Sequence, residues 1–320
     1  MKSAREGIVP SRSMPRVDTG GLHLHIEELG EGEPLLLIMG VGAQLTLWPQ
    51  DFVENLVARG FRTIRFDNRD VGLSDSLDHI PPPNLGQLIQ AKLARTRPAS
   101  IGYDLHDMAR DAMAVLDALG LADAHVVGVS MGGMIAQICA IEHPERVRSL
   151  TSIMSSPGDF LSSVGDLRVL KTLIQMRSGT AEEAGESRVV LAHAFNPGGL
   201  PLDEDLIRAT GAADFRRSNN PDGFARQFGA IMATRNRKRT LGQVRCPSHV
   251  IHGTHDPLVP PRGGALTSKL IPGATLQMVE RMGHSMHPLH LDLIADGIQR
   301  CAERSQNEQG PDGRTRRGLA

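Results

Sequence analysis

A serine set among glycines, at the end of an apolar run, is the first feature of this chain that indicates chemistry. Residues 125–134 have the sequence HVVGVSMGGM, in which Ser130 is surrounded by Gly128, Gly132 and Gly133. Glycine weakens both strands and helices, so three glycines here indicate a backbone that needs room. An apolar strand, a G-x-S-x-G pattern and then a helix predict a sharp, strained turn that exposes a nucleophilic serine hydroxyl.

A nucleophilic serine needs a general base, and the base needs an acid to orient it. In G-x-S-x-G hydrolases the order along the chain is serine, acid, histidine. Asp256 follows the apolar HVIHG, and His284 follows the strand pattern ATLQMVE, so both come just past predicted strand ends. This order predicts Ser130 as nucleophile, His284 as base and Asp256 as the orienting acid. Asp159 and Asp166 are competing acids and rank behind Asp256.

An oxyanion hole is the third requirement, and it needs two backbone N–H donors. One donor is expected from Met131, which follows the serine. The other is expected from Val41 in the stretch LLLIMGVGAQLTLW, where Gly40 and Gly42 free the backbone to turn inward. A glycine-rich turn without a ligand is the alternative interpretation. The glycines expected to support the site are Gly40, Gly128 and Gly132.

Several histidines in the last quarter of the chain raise the question of a metal site. His284, His287 and His290 are spaced three apart, but no HExxH-type pair or helix-borne carboxylate accompanies them. His252 and His255 are expected at a turn and a strand end. The sequence therefore predicts no metal, and serine-based acyl transfer requires no cofactor.

Composition limits the classes of protein that this chain fits. It has 320 residues, 40% apolar and 22% charged, as is typical of globular proteins, and a formal net charge of −1. That charge and the 3% aromatic content argue against a nucleic-acid partner. Cys139, Cys246 and Cys301 are scattered, which favours reduced thiols. Without an evident signal segment or membrane-length apolar run, we expect a cytoplasmic protein with no membrane span.

Short apolar runs alternate with helical patterns along most of the chain. Several runs are apolar at consecutive positions, as in strands covered on both faces. We therefore predict an α/β fold with a mostly parallel, doubly wound sheet flanked by helices. The candidate strands are Leu22–Glu28, Pro34–Met39, Arg62–Phe66, Ala124–Val129, Ser149–Met154, His249–His252 and Thr275–Val279.

The alternation is interrupted by a helical insertion between residues 157 and 243, in which no strand pattern occurs. Such insertions usually cover an active site as a cap. The predicted division is a flexible N-terminal tail (1–17), a core (18–156 and 244–303), a helical cap (157–243) and a flexible C-terminal tail (304–320).

The cap sequence also bears on the substrate. It is rich in Leu, Ala, Met and Phe, which predicts a mainly apolar pocket. The basic stretch Arg235, Arg237, Lys238 and Arg239 could attract an anionic group, but such a run is more often a solvated edge.

Residues 20 to 303 resemble the α/β-hydrolase fold superfamily in LLLIMGVG, IRFDNRDVGLSD, GVSMGG, HGTHDPLVP and MGHSMHP. These motifs are most similar to the branch that contains aclacinomycin methylesterase and related bacterial esterase/lipase-like proteins. Met39 stands where most relatives have His, and Asp70 stands where many have Gly. An extra charge or capping bond is therefore expected in that turn. The resemblance implies that Arg69, Gly72 and Ser74 shape a loop beside the nucleophile.

These observations together predict a serine hydrolase, of carboxylesterase or lipase-like type, acting on a mainly apolar or small-molecule ester through an acyl-enzyme. The same triad also fits a thioesterase, lactonase, amidase, C–C hydrolase or cofactor-free haloperoxidase. A non-catalytic small-molecule receptor with this fold is the remaining, less favoured alternative.

Overall fold

Eight strands form one sheet in the computed structural model, which describes residues 12–93, 97–176 and 178–309. The order across the sheet is β1-β2-β4-β3-β5-β6-β7-β8. The β1–β2 and β2–β4 pairs are antiparallel, and the remaining pairs are parallel. The strands are β1 (Arg12–Asp18), β2 (His23–Leu29), β3 (Glu33–Ile38), β4 (Phe61–Phe66), β5 (Ala124–Val129), β6 (Val147–Ile153), β7 (Ser248–Gly253) and β8 (Thr275–Val279).

Helices connect the strands and cover both faces of the sheet. Among the described residues, no helix is both long enough and apolar enough to cross a membrane. The helices are α1 (Gln50–Ala58), α2 (Leu85–Leu93), α3 (Leu105–Ala118), α4 (Met131–Glu142), α5 (Phe160–Ser163), α6 (Leu167–Gln175), α7 (Ala181–Ala194), α8 (Glu204–Arg217), α9 (Pro221–Ala233), α10 (Pro261–Leu270) and α11 (Leu291–Gln309).

Alternating side chains of β3 show how one apolar run serves two cores. Leu36 and Ile38 are fully buried in the cluster that includes apolar residues of α3 and α4. Leu35 and Leu37 are equally buried in the opposite cluster, which includes residues of α1 and α11. Successive side chains of a strand point to opposite faces, so a run of four apolar residues fits a central strand covered on both sides. The predicted α/β fold class is confirmed.

Both predicted tails contain regular structure in the described residues. Arg12–Asp18 forms the antiparallel edge strand β1, with a register irregularity between Met14 and Val17. Because Pro15 interrupts the alternating pattern, the sequence did not predict this strand. Proline is nevertheless accepted at edge strands and bulges. Helix α11 continues past residue 304 to Gln309. Residues 1–11 and 310–320 of the predicted tails lie outside the described residues.

The described residues between 157 and 243 contain α5 to α9 and no strand. Helices α5 and α6 are separate, although few residues lie between them. The N–H groups of Gly165 and Asp166 donate instead to Leu258 O (3.0 Å) and Pro257 O (2.7 Å). These contacts take the chain out of a helical path. They also place it against the loop that follows β7.

Candidate active site

Ser130 lies at the sharp turn between β5 and α4, at the carboxyl end of a central strand. Its backbone has φ 56° and ψ −118°, a strained conformation for a residue with a side chain. A Cβ at Gly128 would lie 2.1 Å from the Gly132 carbonyl oxygen, and a Cβ at Gly132 would lie 2.1 Å from that of Ile38. The glycines therefore allow a backbone approach that any side chain would prevent.

Ser130, His284 and Asp256 form a continuous chain of polar contacts. His284 Nε2 is 3.0 Å from Ser130 Oγ, and His284 Nδ1 is 2.7 Å from Asp256 Oδ2. His284 and Asp256 are buried. Asp256 follows β7 and His284 follows β8, so three parallel strands deliver the three side chains to one edge of the sheet.

The carboxylate of Asp256 is held by donors on both oxygens. Oδ1 accepts hydrogen bonds from the N–H groups of Leu258 and Val259, both at 2.9 Å. Oδ2 accepts from His284 and lies 3.4 Å from Nε2 of His252. Burial favours the neutral acid, but the charge of His284 and hydrogen bonds from both histidines outweigh it, so the pKa of Asp256 falls to about 2. The carboxylate is thus ionised at neutral pH.

The competing acids have other roles in the structure. Asp159 caps α5, where its side chain accepts from Ser162. Asp166 caps α6 and pairs with Arg168. Among the described carboxylates, Asp256 is the one that His284 contacts.

Three other histidines of this region, His252, His255 and His287, also have polar contacts. His287 Nε2 contacts Pro201 O at 2.7 Å, and exposed His255 contacts Thr254. His252 lies next to the end of β7, near the strand end where it was expected, but its contact with Asp256 was not predicted. In the described part of the chain, no group of three or more His, Cys, Asp or Glu side chains could hold a metal.

Gly40, Val41 and Gly42 form the expected oxyanion loop, which lies beside Ser130. A Cβ at Gly40 would be 3.3 Å from the Ser130 Cβ. Met131 begins α4, where the first N–H groups of a helix have no partner within the helix. Within the described residues no hydrogen bond engages the N–H of Val41 or Met131, whereas the N–H of Gly42 donates to Gln227 Oε1 at 2.7 Å.

Two phenylalanines from the helical insertion contact the two sides of this site. Phe195, at the end of α7, lies edge-on to His284 with ring centroids 5.2 Å apart, and its carbonyl accepts from His284 N at 2.9 Å. Phe224, in α9, lies so close to Gly42 that a Cβ there would be 2.5 Å from its ring. The insertion thus supplies apolar surface beside both the histidine and the oxyanion loop.

The loop after β4 packs behind the oxyanion loop. Arg69 forms two hydrogen bonds to Asp111, of 2.6 and 2.7 Å. A Cβ at Gly72 would lie 2.1 Å from the Asp67 carboxylate, and Ser74 Oγ donates to Asp67 O at 2.6 Å. Asp70 carries the expected extra charge, with its carboxylate buried against Arg226.

The four residues of the basic stretch differ in their burial. Arg235, Lys238 and Arg239 are exposed, as expected of a solvated edge. Arg237 is buried instead, and donates to Gln137 Oε1 and Ser156 O, both at 2.9 Å. Burial lowers the pKa of its guanidinium to about 9. Sequence periodicity does not show this inward position, because both partners come from other parts of the core.

A family model for the alpha/beta hydrolase fold matches residues 33–291. The chain belongs to the α/β-hydrolase fold family. This α/β-hydrolase is 32% identical over 279 residues to rhodomycin D methylesterases of Streptomyces sp. (strain C5) and Streptomyces peucetius, which covers 79% of this chain and 85% of each relative. The family and its relatives support an ester-hydrolysing enzyme.

A solved structure with the same architecture is the meta-cleavage product hydrolase from Pseudomonas fluorescens IP01, in a mutant complexed with acetates. Its TM-score to this α/β-hydrolase is 0.70, at 18% identity, covering 92% of this chain and 98% of that one. At this identity the likeness shows the fold alone.

Proposed function

We propose that this α/β-hydrolase is a serine hydrolase that cleaves carboxylic esters of apolar small molecules through an acyl-enzyme. The observation that carries the proposal is the contact chain from Ser130 Oγ to His284 Nε2 and from His284 Nδ1 to Asp256. A serine hydroxyl is activated when a base within hydrogen-bond reach takes its proton, and an acid must orient that base.

In the proposed first step, His284 takes the Ser130 proton while Oγ attacks the ester carbonyl. The tetrahedral oxyanion accepts hydrogen bonds from the N–H groups of Met131 and Val41, each donor contributing about 3 kcal/mol to transition-state stabilisation. The histidine then gives its proton to the departing alcohol, which leaves the acyl group on Ser130. Water hydrolyses this ester by the same relay, releasing the acid and restoring the serine. Asp256 holds the imidazole in orientation throughout.

The helical insertion supports an apolar substrate. We propose that α5 to α9 form a cap whose Phe195 and Phe224 border the reacting centre, because the first contacts His284 and the second packs on Gly42. Apolar and aromatic side chains around a few polar groups are typical of small-molecule sites. Since two relatives are named methylesterases, esters of small alcohols are the first substrates to test.

The test measures hydrolysis of p-nitrophenyl esters from acetyl to long acyl chains, and of methyl esters of apolar acids by proton release. Wild type is compared with Ser130→Ala, whose folding is checked by circular dichroism. We expect turnover by wild type and a loss of about 10⁴-fold or more in the variant. Equal turnover by both would refute the nucleophile assignment, and no turnover on any ester would refute the proposed reaction.

A further inference from the structure

Gln227 is a fully buried polar residue of α9 that contacts two core loops at once. Its Oε1 accepts a hydrogen bond from the N–H of Gly42 at 2.7 Å, and its Nε2 donates to the carbonyl of Arg69 at 2.6 Å. The residue is 0% exposed. Because one partner is a backbone donor and the other a backbone acceptor, the contacts determine which amide atom is oxygen and which is nitrogen.

The contact at Gly42 bears directly on the expected oxyanion donor, which is the preceding residue. Gly42 has φ +66°, and the ring of Phe224 occupies the place where a side chain would project. On the other side of the loop, Gly40 approaches the Ser130 Cβ. A short segment with two glycines has many accessible conformations, and ordering it costs about 1–2 kcal/mol per residue. Contacts from α9 therefore stabilise the loop conformation in which Gly40, the residue before Val41, lies against Ser130.

Two further contacts hold α9 and the neighbouring α8 against the same loops. Arg226, next to Gln227, forms the buried ion pair with Asp70 in the loop after β4. Gln44, which follows the oxyanion loop, donates to the carbonyls of Asp214 (2.7 Å) and Ser218 (3.0 Å) at the end of α8. The helical insertion is thus connected to the oxyanion loop by directed hydrogen bonds as well as by apolar packing.

We propose that Gln227 is a positioning residue for the oxyanion hole, and that it fixes the direction of the Val41 N–H by holding the next peptide. This inference rests on the proposed serine hydrolase function. It implies that the hole is complete only when α9 is seated, so the insertion acts on transition-state stabilisation as well as on substrate binding. Small displacements of an oriented catalytic group reduce rates by up to about 100-fold.

The test compares three substitutions that preserve size or chemistry in different ways. Gln227→Met keeps the volume and removes both hydrogen bonds, Gln227→Glu keeps the acceptor for Gly42, and Gln227→Asn keeps the amide but shortens its reach. For Gln227→Met we expect kcat to fall about 10- to 100-fold with KM within about threefold, because the hole acts in the transition state. We expect smaller losses for the other two.

A trifluoromethyl ketone forms a tetrahedral oxyanion adduct on serine, so its affinity measures the oxyanion hole directly. A residue with only a structural role would not change this affinity. The inhibitor affinity is expected to fall by the same factor as kcat/KM, while the pH profile of kcat/KM is retained. The matched control is Gln137→Met, another fully buried glutamine, whose amide contacts Ser152 and Arg237. We expect the control to lose stability but to keep both kcat and inhibitor affinity.

The outcomes separate this inference from the proposed function. If wild type shows Ser130-dependent turnover and folded Gln227→Met keeps wild-type kcat and inhibitor affinity, the positioning role is wrong and the proposed function stands. If Gln227→Met does not fold at the assay temperature, Gln227→Asn, whose shorter side chain draws the amide away from Gly42, decides by the same criterion. Absence of Ser130-dependent turnover in wild type refutes the proposed function itself.

Discussion

Asp70 and Arg226 form a bidentate ion pair in which both side chains are almost completely buried. Arg226 Nη2 is 2.7 Å from Asp70 Oδ1, and Arg226 Nε is 3.0 Å from Oδ2. The two side chains are 0% and 3% exposed, respectively. Asp70 also has φ 69° and accepts hydrogen bonds from Tyr103 and the N–H of Leu77. Burial and the Asp70 carboxylate raise the pKa of Tyr103 well above its usual value, so its hydroxyl remains a donor.

Removing Arg226 should leave a buried carboxylate without its cation. We expect Arg226→Met to reduce the free energy of unfolding by about 3–5 kcal/mol. The double variant Arg226→Met with Asp70→Gly should recover part of this loss, because it removes both the unpaired charge and the side chain at positive φ. Urea denaturation of wild type, the single variant and the double variant measures these free energies of unfolding.

The control for this ion pair is Arg168→Met. Arg168 is 92% exposed and pairs with Asp166 on the surface, so its loss should cost less than about 1 kcal/mol. A double variant no more stable than Arg226→Met would contradict the assignment of the loss to an unpaired Asp70.

Asp256 should make stability depend on pH in the acid range. Its pKa in the folded protein is about 2, below its ordinary value of 3.8. Because this pKa is lower in the folded protein than in the unfolded chain, ionised Asp256 stabilises the folded state at pH values above about 4. This contribution is lost as the pH falls from about 4 to 2. We expect the contribution to be about 2 kcal/mol.

In Asp256→Asn this contribution is absent, so its stability relative to wild type should improve as the pH falls through that range. Urea denaturation at pH 5, 4 and 3 tests this expectation. Asp205→Asn, on the surface of α8, is the control and should follow wild type. If the free energies of unfolding of wild type and Asp256→Asn differ by the same amount from pH 5 to 3, Asp256 is not the source of the pH dependence.

The close approach at Gly128 predicts a large effect of a single methyl group. An added Cβ would lie 2.1 Å from the Gly132 carbonyl oxygen and must displace the backbone at the turn that carries Ser130. We expect Gly128→Ala to cost about 3 kcal/mol or more in unfolding free energy. Residual folded protein should have greatly reduced esterase activity.

Gly242→Ala provides the comparison, because the nearest atom to its added Cβ is 4.0 Å away. We expect its stability to remain within about 1 kcal/mol of wild type. Thermal unfolding distinguishes the two variants, and equal melting temperatures would show that the turn accommodates a side chain at Gly128.

The cysteines should be slow to react and unnecessary for activity. Burial raises the pKa of Cys301 to about 11 and raises that of Cys139 further, so both are thiols at neutral pH. We expect iodoacetamide at pH 7.5 to leave esterase activity intact, with any adduct on the less buried Cys246. Inactivation by alkylation of Cys139 or Cys301 would contradict this expectation.

A phosphonofluoridate should instead inactivate the enzyme, because it reacts with an activated serine hydroxyl. We expect one adduct on Ser130, located by mass spectrometry.

The sequence by itself determined the fold class, and it predicted the glycine-rich turn at Ser130 with Asp256 and His284 as the expected partners of the serine. These depend on local rules. Consecutive apolar residues such as those of β3 need cover on both faces, and the glycines around Ser130 are required by a backbone approach within a few residues. The order serine, acid, histidine follows from strands that end at the same edge of a parallel sheet.

The tertiary structure alone decided which distant side chains meet at that edge. Asp256 and Asp166 both follow plausible patterns, and only folding shows that the first contacts His284 while the second caps α6. Gln227 reaches Gly42 across 185 positions of sequence, and Arg237 turns inward from a run of exposed basic residues. Periodicity and propensity describe neighbours along the chain. Hydrogen bonds between a helical insertion and core loops depend on how separate elements pack together.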